Sequence, residues 1–219
     1  MNSNEDLQKQ VLDAIKWEPL LHAAEIGVTV DNGIVTLTGT VDSYSKKLEA
    51  EEAVKNVAGV TALVEKIEIK FADNPKIEDG AIAADVISNL KSNWEIPHDQ
   101  IKVKVENGWV TLDGEVQWNY QKDSTRASIL RVNGVKGVIN NIKIKSNIID
   151  EVEKIDIERA MKRNWSIAQQ AINIGVTGNK VTLSGTVHSW YEHDEAERIA
   201  WNAPGVGIVD NELQIAYGK

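Results

Sequence analysis

The chain has no cysteine, and that absence removes disulfides, thiolate metal sites and cysteine nucleophiles at once. It has one phenylalanine, so its aromatic content rests on seven tryptophans and four tyrosines. Long apolar runs are missing too, and none approaches the roughly 20 residues that a membrane-crossing helix needs. The first residues are polar and acidic, with no basic segment leading into an apolar one, so no secretory leader is read there. The expected location is the cytoplasm, or the periplasm for a chain from which a leader has been removed. Positive charge is scarce: 24 Lys and Arg stand against 33 Asp and Glu, a net charge of −9. Phosphate neutralisation supplies most non-specific affinity for nucleic acid, so no nucleic-acid partner is expected. The shortage is uneven, with about −5 over residues 1–72, 0 over 73–147 and −4 over 148–219.

What the chain does have is a threefold repeat. Val30-Asp31-Asn32-Gly33-Ile34-Val35-Thr36-Leu37-Thr38-Gly39-Thr40-Val41 returns as Val105 to Val116 and again as Val176 to Val187. Gly39, Gly114 and Gly185 set periods of 75 and 71 residues, and Gly59, Gly134 and Gly205 follow them by 20 residues, each with a valine next. Repeats of this length read as three tandem domains, 1–72, 73–147 and 148–219.

Each copy gives the same local pattern. Leu7, Val11 and Ile15 have helical spacing, as do Ile82, Val86 and Leu90, and then Ile157 and Met161. Ser3 is placed to cap the first helix, and Pro19 and Pro97 lie where helices stop. Alternation follows at Ile26, Val28 and Val30 and at their counterparts, then Asn-Gly or Gly-Asn at a hairpin turn, then a return strand. The glycine within that strand (39, 114, 185) marks a bulge or a close approach; a helix crossing there, with no room for a side chain, is the expected cause. A second helix ends at Gly59, Gly134 or Gly205, with Ser189 and Glu192 as a capping box in the third copy. A last strand carries Ile67 and Ile69, Ile142 and Ile144, or Leu213, Ile215 and Tyr217. The reading is an α+β chain of three helix-strand-strand-helix-strand domains, each with a three-stranded mixed sheet and two helices on one face.

The element order, the V-x-N-G-x-V-T-L-x-G-x-V hairpin and the helix-ending Gly-Val resemble the BON domain (bacterial OsmY and nodulation), in three copies across nearly the whole chain. The resemblance implies a non-enzymatic module of envelope and osmotic-stress settings that binds phospholipid surfaces or scaffolds assemblies.

Chemistry is hard to find. The histidines are His22, His98, His188 and His193; His188 and His193 beside Glu192 and Asp194 fit neither one helical face nor a zinc spacing, so no metal is expected. Ser184-Gly185 lacks the nucleophile-elbow pattern, and Gly175 to Gly178 lacks a phosphate-loop tail. No catalytic residue and no cofactor is expected. Trp94 and Trp165 align between copies, Trp17 lies two residues off their register, and all three fall near the first helix end and read as caps on the core. Trp118 and Trp190 fall at the strand-to-helix corner, near Tyr44 in the first copy, where they read either as lipid-interface aromatics or as packing between repeats.

One pattern occurs in the middle copy alone. With Ile101, Val103 and Val105 inward, Lys102 and Lys104 face out; so do Trp109 and Thr111, and so do Lys143 and Lys145. The first copy places Thr29, Thr36, Lys66, Glu68 and Lys70 there, and the third Asn173, Thr182, Glu212 and Gln214. The candidate ligand for Lys102, Lys104, Trp109, Lys143 and Lys145 is an anionic phospholipid surface. The alternative is a protein partner, or another copy of the chain, on the open sheet faces.

Overall fold

The computed structural model describes residues 4–21, 25–71, 77–145, 152–168 and 171–216. Ser3, His22 and Tyr217 lie outside them, as do the connections after Phe71 and Lys145 over most of their length.

The first repeat runs α1 (Asn4–Trp17), β1 (Glu25–Asp31), β2 (Ile34–Val41), α2 (Tyr44–Lys55) and β3 (Ala62–Ile69). The middle one runs α3 (Asp79–Ser92), β4 (Ile101–Glu106), β5 (Trp109–Val116), α4 (Asn119–Ile129), β6 (Gly137–Asn140) and β7 (Lys143–Ile144). The third runs α5 (Lys154–Arg163), β8 (Ala171–Thr177), β9 (Lys180–Val187), α6 (Trp190–Trp201) and β10 (Ile208–Ile215). The chain is α+β, and each repeat has a sheet of its own with the hairpin's return strand at the centre. In the third repeat β8 pairs with β9 antiparallel and β10 pairs with β9 parallel, Ile208 opposite Lys180 through Ile215 opposite Val187. In the middle repeat the last strand is broken, because β6 and β7 both run parallel to β5 but stop either side of Asn141 and Ile142.

The expected helical and alternating positions are the buried ones. Ile82, Val86 and Leu90 of α3 and Ile129 of α4 meet Ile101, Val110, Leu112 and Val116 of the sheet in one core. Ile157, Met161, Ala196, Ile199 and Ala200 do the same over Ile174, Val181, Leu183 and Val187. Both helices therefore cover one face of each of these sheets, as the amphipathic spacing requires. In α6, Glu192 N–H donates to Ser189 Oγ at 3.2 Å while the Glu192 carboxylate accepts from His188 N–H at 2.6 Å.

By compactness the chain divides into two units: Met1–Gly39, Glu49–Ile67 and Ile148–Lys219 form one, and Thr40–Leu48 with Glu68–Asn147 the other. In the first unit Lys55 of α2 meets Asp194 of α6, with 3.6 Å between Nζ and Oδ2. In the second, Tyr44 is buried in the core that holds Ile82 and Val86, and Leu48 and Ile69 pack against it. Tyr44 thus joins neighbouring repeats.

The glycines at 39, 114 and 185 have a different cause from the one expected. Their φ values are +128°, +155° and +128°. A Cβ there would run into the carbonyl oxygen of Glu25, Gln100 or Ala171, the backbone facing the glycine across the hairpin. The obstacle is backbone at the start of the partner strand, for Gly114 the residue just before it at the end of a single 3-10 turn, and no α-helix is among the nearest atoms. Gly59, Gly134 and Gly205 also have positive φ and sit after the second helices.

Two predictions follow from this geometry. Since the clash falls on Cβ itself, Gly114→Ala should destabilise nearly as much as Gly114→Val, by about 3 kcal/mol or more in each case. Chemical denaturation measures both, and a tolerated alanine would restore the crossing-helix explanation. The second prediction concerns Glu49 of α2. Burial, followed by a shared hydrogen bond and repulsion from Glu18 and then repulsion from Glu52, raises its pKa. A carboxyl raised in the fold costs stability above that pKa and recovers it as pH falls through it. Glu49→Gln should therefore raise the thermal midpoint near neutral pH, with the gain over wild type shrinking on acidification. The comparison is between the two proteins at each pH, because Asp42, Asp194 and Glu195 are lowered and weaken both folds alike in acid.

Candidate functional site

The open face of the middle sheet gathers the five residues picked from sequence. Lys102 and Lys104 lie on β4, Trp109 on β5, Lys143 on β7 and Lys145 just past it, and all five are exposed. The register also brings carboxylates onto that face, which the sequence reading left out. Lys102 stands opposite Asp113, Trp109 opposite Glu106, and Lys143 opposite Glu115. Two of the four lysines are engaged: Lys104 Nζ lies 3.0 Å from Glu106 and Lys145 Nζ 3.1 Å from Glu115. Asp113 accepts a hydrogen bond from the Asn141 amide at 3.1 Å. Lys102 and Lys143 form no ion pair among the described residues. Four lysines against three carboxylates leave one net positive charge.

Trp109 is 49% exposed, and its ring lies over Gly137 on the next strand, filling the space a side chain there would need. This is the packing of an aromatic over a cross-strand glycine. The indole is thus held flat along the face, with its outer side in water.

On the third sheet, Lys180 pairs with Asp210 at 2.8 Å. That interaction raises the Lys180 pKa, chiefly through the hydrogen bond. With Glu212 also exposed there, the third face carries no positive excess.

The corner aromatics divide. Trp118 is 37% exposed, and its backbone N–H donates to Gln121 at 3.1 Å. Trp190 lies edge-on to His193, ring centres 5.5 Å apart, with its indole N–H buried and unpartnered among the described residues. His193 Nδ1 sits 2.9 Å from Asp194. Burial opposes charge on Asp194, but His193 and Lys55 outweigh it and hold the carboxyl below its ordinary range. No three potential metal ligands converge among the described residues. In the second unit a cleft of about 300 Å³ is lined by Ile69, Phe71, Ile77, Asp79 and Lys136. Its Asp79 carboxylate is taken up by the backbone N–H groups of Asn107 and Gly108, at 2.7 and 2.9 Å.

The expectation for the other recurrent tryptophans is overturned. Trp17, Trp94 and Trp165 are 86%, 90% and 88% exposed. The cores are closed instead by aliphatic residues slightly further on: Leu21, Ile96 and Ile167, each 3% exposed or less. The turn chemistry explains the difference. Asn93 Oδ1 accepts from Glu95 N–H, and Asn164 Oδ1 from Ser166 N–H, both at 3.0 Å, so the indole sits at the tip of an Asn-closed turn.

The second helix fastens that tip in the second and third copies. Ser124 Oγ donates to Glu95 at 3.1 Å, and the Asn164 amide donates to Glu195 at 2.5 Å. Glu49, at the equivalent place in the first copy, is raised in pKa by burial and by the neighbouring Glu18. Sequence could have offered one signal, the Asn-Trp pair recurring at 93–94 and 164–165.

No helix among the described residues is long and apolar enough to cross a membrane. Comparison with known proteins gives relatives over part of the chain. It is 30% identical over 129 residues to the Osmotically-inducible protein Y of Escherichia coli (strain K12), a match that spans 57% of this chain and 64% of that protein. A 21 kDa hemolysin of Actinobacillus pleuropneumoniae is 33% identical over 129 residues, again spanning 64% of the relative. A protein of Anaplasma centrale is 31% identical over 125 residues, which is 83% of its length. The BON domain profile matches residues 3–70, 78–146 and 154–217, one match to each of the three sheets with its two helices, and the chain belongs to the BON domain family.

Proposed function

We propose that the chain is a non-catalytic binding module that touches anionic phospholipid surfaces through the open face of its middle sheet. The observation that carries this reading is the grouping of Lys102, Lys104, Lys143, Lys145 and Trp109 on one exposed face, with Lys102 and Lys143 in no ion pair among the described residues. A lysine near an anionic bilayer contributes about 1 kcal/mol. Two free lysines beside an aromatic therefore give weak, salt-sensitive attachment. The setting is stress- or envelope-related, in keeping with relatives named for osmotic induction and for haemolysis.

A second reading has its own support. Tyr44 inserts into the middle core and Lys55 meets Asp194, so repeats of this chain already use side chains to hold one another. On that reading the open faces serve as a scaffold for protein partners or further copies, without lipid.

Vesicle sedimentation across a salt series separates the two. Lipid attraction through this face is Coulombic and screened over about 8 Å at physiological salt. Binding to vesicles rich in phosphatidylglycerol should fall as salt rises, and Lys102→Glu with Lys143→Glu should lower it by about tenfold or more at low salt. Equal sedimentation of the two proteins would remove this face as a lipid site and leave the scaffold reading.

A further inference from the structure

Two of the three hairpins turn on the same dipeptide, Asn32-Gly33 in the first repeat and Asn107-Gly108 in the middle one, while the third turns on Gly178-Asn179. Asn-Gly suits a two-residue turn because both residues take a positive φ, here +50° and +81° in the first copy and +52° and +83° in the middle one. The same pair carries a chemical weakness. A glycine nitrogen has no side chain beside it to hinder attack on the preceding asparagine. The nitrogen adds to Cγ, a C–N bond forms, and Nδ2 leaves as ammonia with the proton that the glycine gave up. Water then opens the succinimide at either carbonyl, to aspartate or isoaspartate. Cyclisation needs the asparagine backbone to leave its left-handed conformation, so the rate follows how readily each turn opens.

The two turns are held alike in one respect. Thr61 N–H donates to the Gly33 carbonyl and Lys136 N–H to the Gly108 carbonyl, both at 2.9 Å. They differ in the residue that begins the first helix. In the middle repeat this is Asp79. Its carboxylate accepts from Asn107 N–H at 2.7 Å and from Gly108 N–H, the attacking nitrogen itself, at 2.9 Å. In the first repeat it is Asn4, a neutral amide, whose Oδ1 accepts from Asn32 N–H at 3.0 Å. Hydrogen bonds to an ionised acceptor are roughly twice as strong as neutral ones. The charge of Asp79 also opposes loss of the Gly108 proton.

Cover differs as well. Gly108 is buried, and the Lys136 stem lies over it. Gly33 is half-buried, and the side chain nearest it is that of Thr61, whose hydroxyl is buried without a hydrogen-bond partner among the described residues. Opening the first turn gives that hydroxyl to water, which lowers the cost of opening. The Asn32 side-chain amide donates to Asp31 at 3.0 Å, but this bond is exposed and water replaces it at little cost.

We infer that Asn32 is a site of spontaneous deamidation, and that Asp79 is a clasp protecting Asn107 from the same reaction. Conversion adds a negative charge to the first hairpin, and isoaspartate adds a methylene to the backbone of its turn. The middle repeat, which carries the lysine face, keeps its hairpin intact. The inference is independent of whether that face binds lipid.

The test incubates the whole chain at mildly alkaline pH, where the glycine nitrogen gives up its proton more readily. Peptide mass spectrometry then follows amide-to-acid conversion at each asparagine. Isomerisation at Asp79-Gly80 or Asp113-Gly114 leaves the mass unchanged and does not interfere. Folded wild type should convert Asn32 faster than Asn107 by about tenfold or more, the difference that one extra hydrogen bond to a charged group supports. In denaturant the two sites should convert at like rates. Asp79→Ala should bring Asn107 to a rate like that of Asn32, and Asn4→Asp should slow Asn32. Circular dichroism checks that Asp79→Ala still folds. Should it not, Asn4→Asp decides, because unfolding cannot slow the reaction.

Equal rates in the folded wild type overturn the inference. So does an Asn107 rate that stays the same or falls in a folded Asp79→Ala chain, and a fall makes Asp79 a base that speeds the reaction. An Asn32 rate unchanged by Asn4→Asp removes the clasp as the cause of the difference.

Discussion

Each repeat must cover one face of a three-stranded sheet with two helices, and the rest of the chain follows from how little material it has for the task. About 70 residues form a sheet of three strands with a core such as that of Val110, Leu112 and Val116 under α3 and α4. Domains of that size bury a modest fraction of their surface and hold little stability in reserve. The hairpin must therefore close tightly, which is why backbone at or just before the start of the partner strand occupies the place of a Cβ at residues 39, 114 and 185. The uncovered face follows from the same economy, and it is where the repeats differ most from one another.

The fold was readable because its signals were local and came three times. Helical spacing at Ile82, Val86 and Leu90 and alternation at Val110 and Leu112 translate directly into burial. Failures came where the cause was non-local. The glycine at 114 was seen in the correct place and given the wrong neighbour, because nothing in the sequence says that Gln100 carbonyl lies across from it. The broken last strand of the middle repeat was hidden behind the alternation of Ile142 and Ile144, since a break of two residues leaves the period intact.

The candidate site was legible by face and misjudged in charge. Outward placement of Lys102, Lys104, Trp109, Lys143 and Lys145 follows from period two alone. Their carboxylate neighbours needed the same rule applied to Glu106, Asp113 and Glu115, and the cross-strand register then pairs them. The tryptophans near the first helix ends show the opposite error. Apolar character argued for burial, but Asn93 and Asn164 take the inner hydrogen bonds of the turn, and Ile96 and Ile167 take the core. A short polar side chain decided where a large apolar one went.

The break at Asn141 and Ile142 also has a consequence for how these sheets meet other strands. An unpaired strand edge is a template on which another chain can add itself. The middle sheet ends in two pieces, Gly137–Asn140 and Lys143–Ile144, neither long enough to offer a continuous row of backbone donors and acceptors. The first and third sheets end in eight-residue strands, Ala62–Ile69 and Ile208–Ile215, which carry Lys66 and Glu68, and Asp210 and Glu212. Resistance to fibrous growth is thus obtained by two means in one chain, by interruption at the centre and by charge at the ends. A neutralising change at Glu68 or Glu212 would weaken it in a way that no loss of core packing would reveal.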